Sequence, residues 1–279
     1  MSYVDLHVHS SASDGTLSPE QVVRLAHEAG LSAIALTDHD TTAGVAGAAE
    51  AGAELGLEVV PGIEVSSSFR DHEIHILGLF VDTDSPSLQA ALKEFRHHRD
   101  QRNQEMLGRF DAHGIHLTAE DLCAGNPDTV ITRAHVARAL LAKGLGPDLD
   151  HIFKKYLQYG GIYCPPKEFL PPEAVMEALL DSHAFVALAH PFQYKLGDKA
   201  TEELIAYLAG LGMKGLEVYH SSHNRLESAK LQEMAACHHL LSTGGSDFHG
   251  SNKPDISIGT GRGGLRVSSL LLDAIKNTL

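Results

Sequence analysis

The sequence predicts an α/β protein with a mostly parallel sheet, and three observations lead to this. Short apolar strands alternate with helical patterns along most of the chain. The length of 279 residues fits a single α/β barrel. Hydrophobic residues make up 43% of the chain and charged residues 21%, which provides a core and excludes disordered, collagen-like and coiled-coil chains. From these patterns, a closed barrel and an open doubly wound sheet are both possible.

The first 92 residues contain four predicted strands. Ser18-Pro19-Glu20 is typical of a helix start, and Gly30 is typical of a helix end. The predicted elements are a strand at 3–9, a helix from 18 to 30, a strand at 33–37, an Ala-rich helix at about 42–55, a strand at 58–60 that leads into Pro61-Gly62, and an apolar run at 74–80.

Residues 93–167 show helical periodicity and no convincing strand. We interpret them as a helical insertion, or cap subdomain, within an α/β domain formed by 1–92 and 168–279. The insertion contains eleven Lys or Arg and nine Asp or Glu, so it carries half of the cations of the chain. These charges either form a solvated helical face or bind an anionic ligand. Turn signals divide the insertion at Gly114, Asn126-Pro127 and 144–147.

The alternation of strands and helices returns after the insertion. Each predicted strand is short and apolar, as expected for a parallel sheet covered by helices. The strands are predicted at 185–189, 215–219 and 241–243, and the helices near 171–182, 201–210, 224–236 and 267–278.

Charge and aromatic content exclude several classes of protein. The net charge of −14 repels nucleic acid and anionic membranes unless a local feature reverses the field. Trp is absent and aromatic residues make up only 6%, which argues against a pure single-strand nucleic-acid binder. An anionic substrate therefore needs a local source of positive charge.

Cysteine usage and the amino terminus predict a cytoplasmic protein. Cys123, Cys164 and Cys237 are far apart and form no Cys-x-x-Cys pair, which suits a reducing compartment. The amino terminus has no signal-peptide pattern, and no apolar run approaches 18 residues. We expect no membrane contact and no stable protein partner.

The chain contains 19 His, several times ordinary usage. Acidic and histidine side chains recur where predicted strands end, and the carboxyl ends of parallel strands form one face of a sheet or barrel. We therefore expect residues from distant parts of the sequence to meet there. These residues are His7, His9, Asp38, His39, Glu64, His75, His190, Glu217, His220, Asp247 and His249.

Several of these segments also have simpler interpretations. His7 and His9 are two apart on a strand and can hold one ion, or they are solvated polar residues. The segment Thr37-Asp38-His39-Asp40 is denser in acids than a turn requires. Glu64 follows a flexible Gly62, and its carboxylate can bridge two cations or lie on the surface. His75 sits inside an apolar run, where a satisfied core histidine is the usual explanation.

Taken in order, the segments resemble the polymerase and histidinol phosphatase (PHP) family of metal-dependent phosphoesterases. The likeness extends from His7 to His249. The resemblance implies a distorted (β/α)7 TIM-like barrel, here with the helical insertion subdomain. The matching motifs are His7-Val-His9, Thr37-Asp38-His39-Asp40, Gly62-Ile63-Glu64, His75, Ala189-His190-Pro191 and Ser246-Asp247-Phe248-His249.

The resemblance also implies two to three divalent metal ions, Mn, Zn or Fe. Asp14 departs from family members that have a histidine at this position, and a carboxylate favours harder ions such as Mn²⁺. The implied ligands are His7, His9, Glu64 and Asp247 for the first ion, Glu64, His75 and His190 for the second, and Asp14, His39 and His249 for the third.

Within the family, the insertion and the segment 131–135 resemble a subgroup that removes phosphate from nucleotides and includes ribonucleases. The implied phosphate-binding residues are Arg133 and His135, with Lys167, Arg99 and Arg102 as further candidates. Arginine suits this role because its guanidinium can donate two parallel hydrogen bonds to a phosphate group. His220 is a candidate proton donor, a phosphate ligand or a structural histidine.

The function implied is hydrolysis of a nucleotide phosphomonoester, such as a 3',5'-nucleoside bisphosphate, by a metal-activated hydroxide. The ions supply the positive charge that an acidic protein otherwise lacks. Alternatives are a 5'-3' exoribonuclease on short RNA, another small-molecule phosphatase such as a histidinol-phosphatase-like or cyclic-phosphate hydrolase, and a non-catalytic metal-binding module. The expected partner is a small phosphate ester or short RNA.

Overall fold

The structure, a computed structural model, describes residues 2–70, 72–123, 129–166 and 168–279. The chain divides into two compact units. The first contains Met1–Leu92 and Leu170–Leu279, and the second contains Lys93–Phe169. Within the described residues, no helix has the length and apolar character needed to cross a membrane.

The helices and strands follow one another in this order: β1 (Tyr3–Val8), α1 (Pro19–Glu28), β2 (Ala33–Leu36), α2 (Val45–Leu55), β3 (Glu58–Phe69), β4 (His72–Leu79), α3 (Pro86–Ala112), α4 (Ala119–Cys123), α5 (Arg133–Ala142), α6 (Leu149–Tyr156), α7 (Pro172–Asp181), β5 (Phe185–Leu188), α8 (Asp198–Gly210), β6 (Gly215–His220), α9 (Arg225–Cys237), β7 (Leu241–Gly245), β8 (Val267–Ser268) and α10 (Ser269–Lys276). Short 3₁₀ turns cover Pro191–Tyr194 and Gly250–Asn252.

The strands of the first unit form one sheet in the order β7-β6-β5-β4-β3-β2-β1-β8. The sheet curls so that β7 and β1 approach each other and the barrel almost closes. Two hydrogen bonds lie at this junction: the amide of Asp247 donates to the carbonyl of His7 at 2.9 Å, and the amide of His9 donates to the carbonyl of Phe248 at 3.0 Å. The predicted α/β fold with a TIM-like barrel is confirmed. The two-residue β8, antiparallel to β1, lies beyond the seven main strands.

The structure corrects the prediction for β3 and β4. The predicted strand at 58–60 continues through Pro61-Gly62 to Phe69, so β3 has 12 residues. A Cβ at Gly62 would lie 2.9 Å from the carbonyl oxygen of Leu36, and glycine is therefore what permits this continuation. β4 runs antiparallel to both β3 and β5, whereas the other main strands pair in parallel.

Other boundaries differ from the predictions by a few residues. Ser18 caps α1 as predicted: its hydroxyl accepts from the Gln21 amide, and its own amide donates to the Gln21 side chain. The predicted helix at 267–278 is shorter, because residues 267–268 form β8 and α10 begins at Ser269.

The first unit has apolar layers on both sides of its sheet. One contains Leu6, Leu77 and Phe185, all at most 1% exposed, and the other packs Val22 and Val23 of α1 against β2. Burying such side chains provides most of the stability of a barrel. The polar strand ends are therefore set on a rigid apolar base.

Within its described residues, the regular elements of the second unit are all helices. Its core is built on Phe110 of α3, Leu140 of α5 and Ile152 of α6, each completely buried. Asp148 caps α6 by accepting from the His151 amide at 2.7 Å.

Candidate metal centre

The barrel brings nine of the sequence-predicted residues into one group, which we call the His-carboxylate cluster. His7 lies in β1 and His9 directly follows it. His39 lies just beyond β2 and pairs with Glu64 of β3 in an isolated bridge. The members form overlapping groups of three or four residues. Within each group the nitrogen and carboxylate oxygen atoms that could hold an ion lie within 4.8 Å of one another. The cluster consists of His7, His9, Asp14, His39, Glu64, His75, His190, Asp247 and His249.

Glu64 lies at the centre of the cluster and is completely buried. Its Oε1 is 2.9 Å from both His75 Nδ1 and His190 Nε2. Its Oε2 is 3.1 Å from His39 Nδ1, 3.2 Å from His9 Nε2 and 3.4 Å from His7 Nε2. Each carboxylate oxygen therefore faces a different set of imidazoles, an arrangement suited to bridging two cations.

The position of His75 corrects one part of the sequence argument. His75 is the fourth residue of β4, not a residue at its carboxyl end. It still reaches Glu64 because β4 is antiparallel, so its amino-terminal half lies beside the carboxyl-terminal part of β3, with His75 opposite Ser66.

His7 and His9 lie side by side, as their spacing on a strand predicts. Their Nε2 atoms are 3.1 Å apart, and Asp247 Oδ1 is 3.4 Å from His9 Nε2 and 3.7 Å from His7 Nε2. His7 Nδ1 donates to Glu217 Oε1 at 2.9 Å, and the other oxygen of Glu217 accepts from the amide of His190 at 2.7 Å. Glu217 therefore orients one imidazole and leaves its Nε2 directed at the cluster.

Asp14, His39 and His249 form a third corner of the cluster together with His9. Asp14 Oδ1 lies 3.2 Å from His249 Nε2 and 3.9 Å from His39 Nε2. Asp14 thus lies in this corner at the position where, according to the resemblance, other family members have a histidine.

Asp38 has a different role from its neighbour in sequence. Its carboxylate accepts from the amide of Ser10 at 2.8 Å, and from the hydroxyls of Ser10 and Ser13 at 2.6 Å each. Asp38 therefore holds the loop that carries Asp14, and its oxygens are used within that loop.

Burial and neighbouring charges shift the pKa values of the cluster in opposite directions. Burial lowers the pKa of His39 to about 3 and that of His190 to about 4, although nearby carboxylates oppose this. Burial also disfavours charge on His9 and His75, but there the contacts with Glu64, Asp247 or Glu73 prevail and raise each pKa to about 9.

The two central carboxyls remain ionised. Burial by itself would raise the pKa of Glu64, but its imidazole neighbours hold it well below the usual range. Burial opposes ionisation of Asp247 as well, and Lys253 and His249 hold its pKa well below the usual range. The cluster therefore offers negative oxygens at neutral pH.

Several buried polar atoms of the cluster have no hydrogen-bond partner among the described residues. Buried polar groups are normally bonded, so several unsatisfied atoms within one cluster require an explanation. Lone pairs on nitrogen and carboxylate oxygen are what a divalent cation needs, and the donor set of the cluster fits such an ion. The unsatisfied atoms are His9 Nδ1, Asp14 Oδ1, His39 Nδ1, Glu64 Oε2 and His190 Nδ1.

His220 lies beside the cluster and is only 3% exposed. Its Nδ1 accepts from the amide of Ser222 at 3.0 Å, which places the proton of the neutral ring on Nε2. That Nε2 is 3.4 Å from Asp247 Oδ2.

The phosphate-binding candidates of the insertion lie in the second unit. Arg133 stacks on Tyr159, with its guanidinium carbon 3.7 Å from the ring centre, and donates to the carbonyl of Leu157 at 3.2 Å. His135 Nδ1 accepts from the amide of Thr132 at 3.1 Å and completes the cap of α5. Lys167 lies outside the described residues.

Two further arginine candidates are buried. Arg99 is 8% exposed and Arg102 is 7% exposed. Burial lowers the pKa of Arg102, and the charges of Arg99 and Arg133 lower it further, so the three guanidinium groups lie near one another. Arg102 Nε has no hydrogen-bond partner among the described residues.

Sequence reasoning missed Lys253. Its ammonium Nζ lies 2.6 Å from Asp247 Oδ2. It belongs to an irregular turn and follows no periodicity, so no sequence pattern indicated that it would reach the cluster.

Fold and cluster together define a metal-dependent phosphoesterase of the TIM-like barrel type, and comparisons with known proteins agree. Residues 5–162 match the PHP domain. A 5'-3' exoribonuclease, Rnm, from Escherichia coli is 36% identical over 250 residues, which cover 88% of this chain and 84% of that protein. A 3',5'-nucleoside bisphosphate phosphatase from Chromobacterium violaceum is 34% identical over 261 residues, covering 93% and 91%.

A solved structure from Bifidobacterium adolescentis, named as a metal-dependent phosphoesterase, has the same fold. It is 30% identical with a TM-score of 0.87, and the match covers 98% of this chain and 95% of that one. The chain belongs to the PHP family, and the resemblance stated from the sequence is confirmed.

Proposed function

We propose that this protein removes a phosphate group from a nucleotide, with a 3',5'-nucleoside bisphosphate as the substrate class, and that divalent ions held by the His-carboxylate cluster are required. The observation that carries the proposal is the buried carboxylate of Glu64, whose Oε1 faces two imidazoles at 2.9 Å and whose Oε2 faces three others at 3.1–3.4 Å. The two relatives that act on nucleotides or RNA support the choice of substrate class.

The ligand sets proposed for the ions are those that the family resemblance implies, and contacts within the cluster support them. His7, His9 and Asp247 form one such group, with Glu64 Oε2 within 3.4 Å of both imidazoles. The first ion would be held by His7, His9, Glu64 and Asp247, the second by Glu64, His75 and His190, and the third by Asp14, His39 and His249. Nitrogen and carboxylate ligands of this kind suit Mn, Zn or Fe.

When bound, such ions supply an activated water as nucleophile and neutralise the charge of the phosphoryl group. The chain itself contributes orientation, since Glu217 fixes His7 through one oxygen and the His190 backbone through the other. His220 presents an Nε2–H donor, because its Nδ1 is occupied by the Ser222 amide. Of the roles as proton donor, phosphate ligand and structural histidine, we favour the phosphate ligand for His220. To act as an acid, the ring would need a second proton on Nδ1, and that proton would break the hydrogen bond from the Ser222 amide.

Arg99, Arg102, Arg133 and His135 are proposed to bind a phosphate group of the substrate. The support is electrostatic: Arg102 is buried beside two other arginines, and a bound anion would relieve their repulsion. Lys167 remains a candidate from the sequence.

The test compares two substrates directly. Release of inorganic phosphate from adenosine 3',5'-bisphosphate is measured beside release of mononucleotides from a 5'-phosphorylated RNA pentamer, with Mn²⁺ present. We expect phosphate release from the bisphosphate in the wild type and its loss in His9→Ala. The circular dichroism spectrum of His9→Ala should equal that of the wild type. Phosphate release that survives in His9→Ala, or its absence in the wild type with every ion tried, would contradict the proposal.

A 5'-3' exoribonuclease is the second candidate, and one surface feature favours it. A groove of about 660 Å³ is lined by Arg225, Arg262 and Arg266, and also by His220 and His223. These are three of the eleven Lys and Arg of the first unit, which has 26 acids, and none of the groove's lining residues is acidic. The groove is therefore a local cationic surface that suits an RNA backbone.

The groove can be tested separately from the phosphatase activity. If RNA lies there, Arg225→Ala and Arg266→Ala reduce mononucleotide release from the pentamer and leave hydrolysis of the bisphosphate unchanged. Arg24→Ala, on α1, serves as a control for loss of one surface cation. Equal effects on both substrates would remove the argument for an RNA-binding groove.

A further inference from the structure

The two oxygens of Asp247 have different neighbours. Oδ1 lies 3.3 Å from His249 Nδ1 and 3.4 Å from His9 Nε2. Oδ2 lies 2.6 Å from the ammonium Nζ of Lys253 and 3.4 Å from His220 Nε2. One oxygen therefore faces the His-carboxylate cluster, and the other faces a cation that belongs to the chain.

The backbone that carries Lys253 is fixed by contacts of its own. The amide of Lys253 donates to the carbonyl of Gly250 at 3.1 Å, and the amide of Ser251 donates to Thr16 Oγ1 at 2.9 Å. Gly250 has a φ of +65°, and a Cβ there would lie 2.1 Å from Thr16 Oγ1, so a glycine is needed for this approach. The Lys253 side chain thus starts from a defined position.

We propose that Lys253 is a positioning residue for Asp247: it holds Oδ2 and leaves Oδ1 as the oxygen that faces a bound ion. This inference rests on the proposed metal centre, in which Asp247 is a ligand. A carboxylate without a partner on Oδ2 is free to rotate and to offer either oxygen or both. Hydrogen-bonded partners of this kind keep a ligand in the orientation that the metal requires.

Another ion pair in the same chain provides a matched comparison. Lys276 Nζ lies 2.7 Å from a carboxylate oxygen of Glu58, and the two side chains are 38% and 42% exposed. The Lys253 side chain is equally exposed at 37%, but its partner Asp247 is only 5% exposed. Because pairs between two exposed side chains contribute little, Lys276 shows what loss of an ordinary lysine contact does.

The experiment measures binding of Mn²⁺ to the metal-free protein by calorimetry, at one pH, for the wild type, Lys253→Met and Lys276→Met. Loss of a residue that orients a ligand typically weakens metal affinity by about 10–100-fold, and we expect this for Lys253→Met. Lys276→Met should bind Mn²⁺ as the wild type does. Lys253→Arg, which keeps the charge and a donor, should recover part of the affinity.

The outcomes separate this inference from the proposed function. A wild type that binds no Mn²⁺ contradicts the proposed metal centre itself. If the wild type binds Mn²⁺ and the affinity of Lys253→Met equals that of Lys276→Met, the role of Lys253 is overturned and the metal centre is not. The same holds if Lys253→Met raises only KM for the nucleotide. If circular dichroism shows that Lys253→Met is unfolded, Lys253→Gln is used, and the same weakening is expected.

Discussion

Glu64 Oε1 lies 2.9 Å from His190 Nε2, although 126 positions of sequence separate the two residues. Both residues are buried, and the contact joins β3 to the turn that follows β5. Burying an acid or an imidazole is costly unless the group has a hydrogen-bond or ion-pair partner. Here the barrel fold brings the two partners together. The cluster around Glu64 is therefore a product of topology, because its residues come from several strands and the loops that follow them.

Proton release should accompany metal binding. In the metal-free protein the pKa values of His9 and His75 are about 9. Burial disfavours charge on His7, but the carboxylates of Glu217 and Glu64 raise its pKa well above the usual range, so these three imidazoles carry a proton at pH 7. His39 and His190, with pKa values of about 3 and 4, are neutral. A ligand imidazole must be neutral, so uptake of ions at pH 7 should release about three protons, and metal affinity should fall as the pH is lowered.

Calorimetry in two buffers of different ionisation enthalpy measures this release. His75→Ala should release about one proton fewer than the wild type, because one of the three charged imidazoles is gone. An apparent enthalpy that does not depend on the buffer would show that the imidazoles are already neutral.

Asp14→Ala should reduce the number of bound ions by one. Asp14 contacts His249 and His39 and makes no contact with Glu64, so the ions held around Glu64 should remain. Elemental analysis after loading with Mn²⁺ and removal of excess gives the count. The exposed Asp84→Ala is the matched control, and equal metal content in all three proteins would exclude Asp14 as a ligand.

Asp38→Ala should destabilise the protein through the loop that carries Asp14. Removal of this carboxylate leaves the amide and hydroxyl of Ser10 and the hydroxyl of Ser13 without their acceptor. Loss of hydrogen bonds to a charged group costs about 1.5–3 kcal/mol in unfolding free energy, measured here by urea denaturation of the metal-free protein. A change below the precision of the denaturation curve would mean that the loop is held by other contacts.

Arg133→Ala should lower kcat/KM for the bisphosphate and leave metal content unchanged. A charged hydrogen bond to phosphate corresponds to about 1.5–3 kcal/mol, or roughly 10–150-fold in kcat/KM. Lys143→Ala, at the end of the same helix α5, removes a cation paired with Asp121 and should have no such effect. Unchanged kinetics in Arg133→Ala would contradict a role in phosphate binding and would favour a structural role through its contacts with Tyr159 and Leu157.

Much of the barrel could be predicted because its signals are local. Ser18 caps α1 as its sequence indicates, and the strand spacing of His7 and His9 places both imidazoles on one side. The convergence of His190 and Asp247 with these residues follows from parallel strands, whose carboxyl ends share one face. Local pattern and general topology were sufficient for these residues.

Other features depend on contacts that the sequence does not display. Pro61-Gly62 has the composition of a turn, but β3 passes through it because Gly62 lets the strand approach the carbonyl of Leu36. The antiparallel direction of β4 places His75 in the middle of a strand rather than at its end. Lys253 and the loop-holding role of Asp38 arise from irregular turns, where no periodicity guides prediction.

Anomalous diffraction from crystals grown with Mn²⁺ would show whether Glu64 bridges ions within the His-carboxylate cluster. We expect at least two anomalous peaks, each about 2.0–2.2 Å from a different oxygen of Glu64. Peaks elsewhere in the molecule, with none beside Glu64, would contradict it.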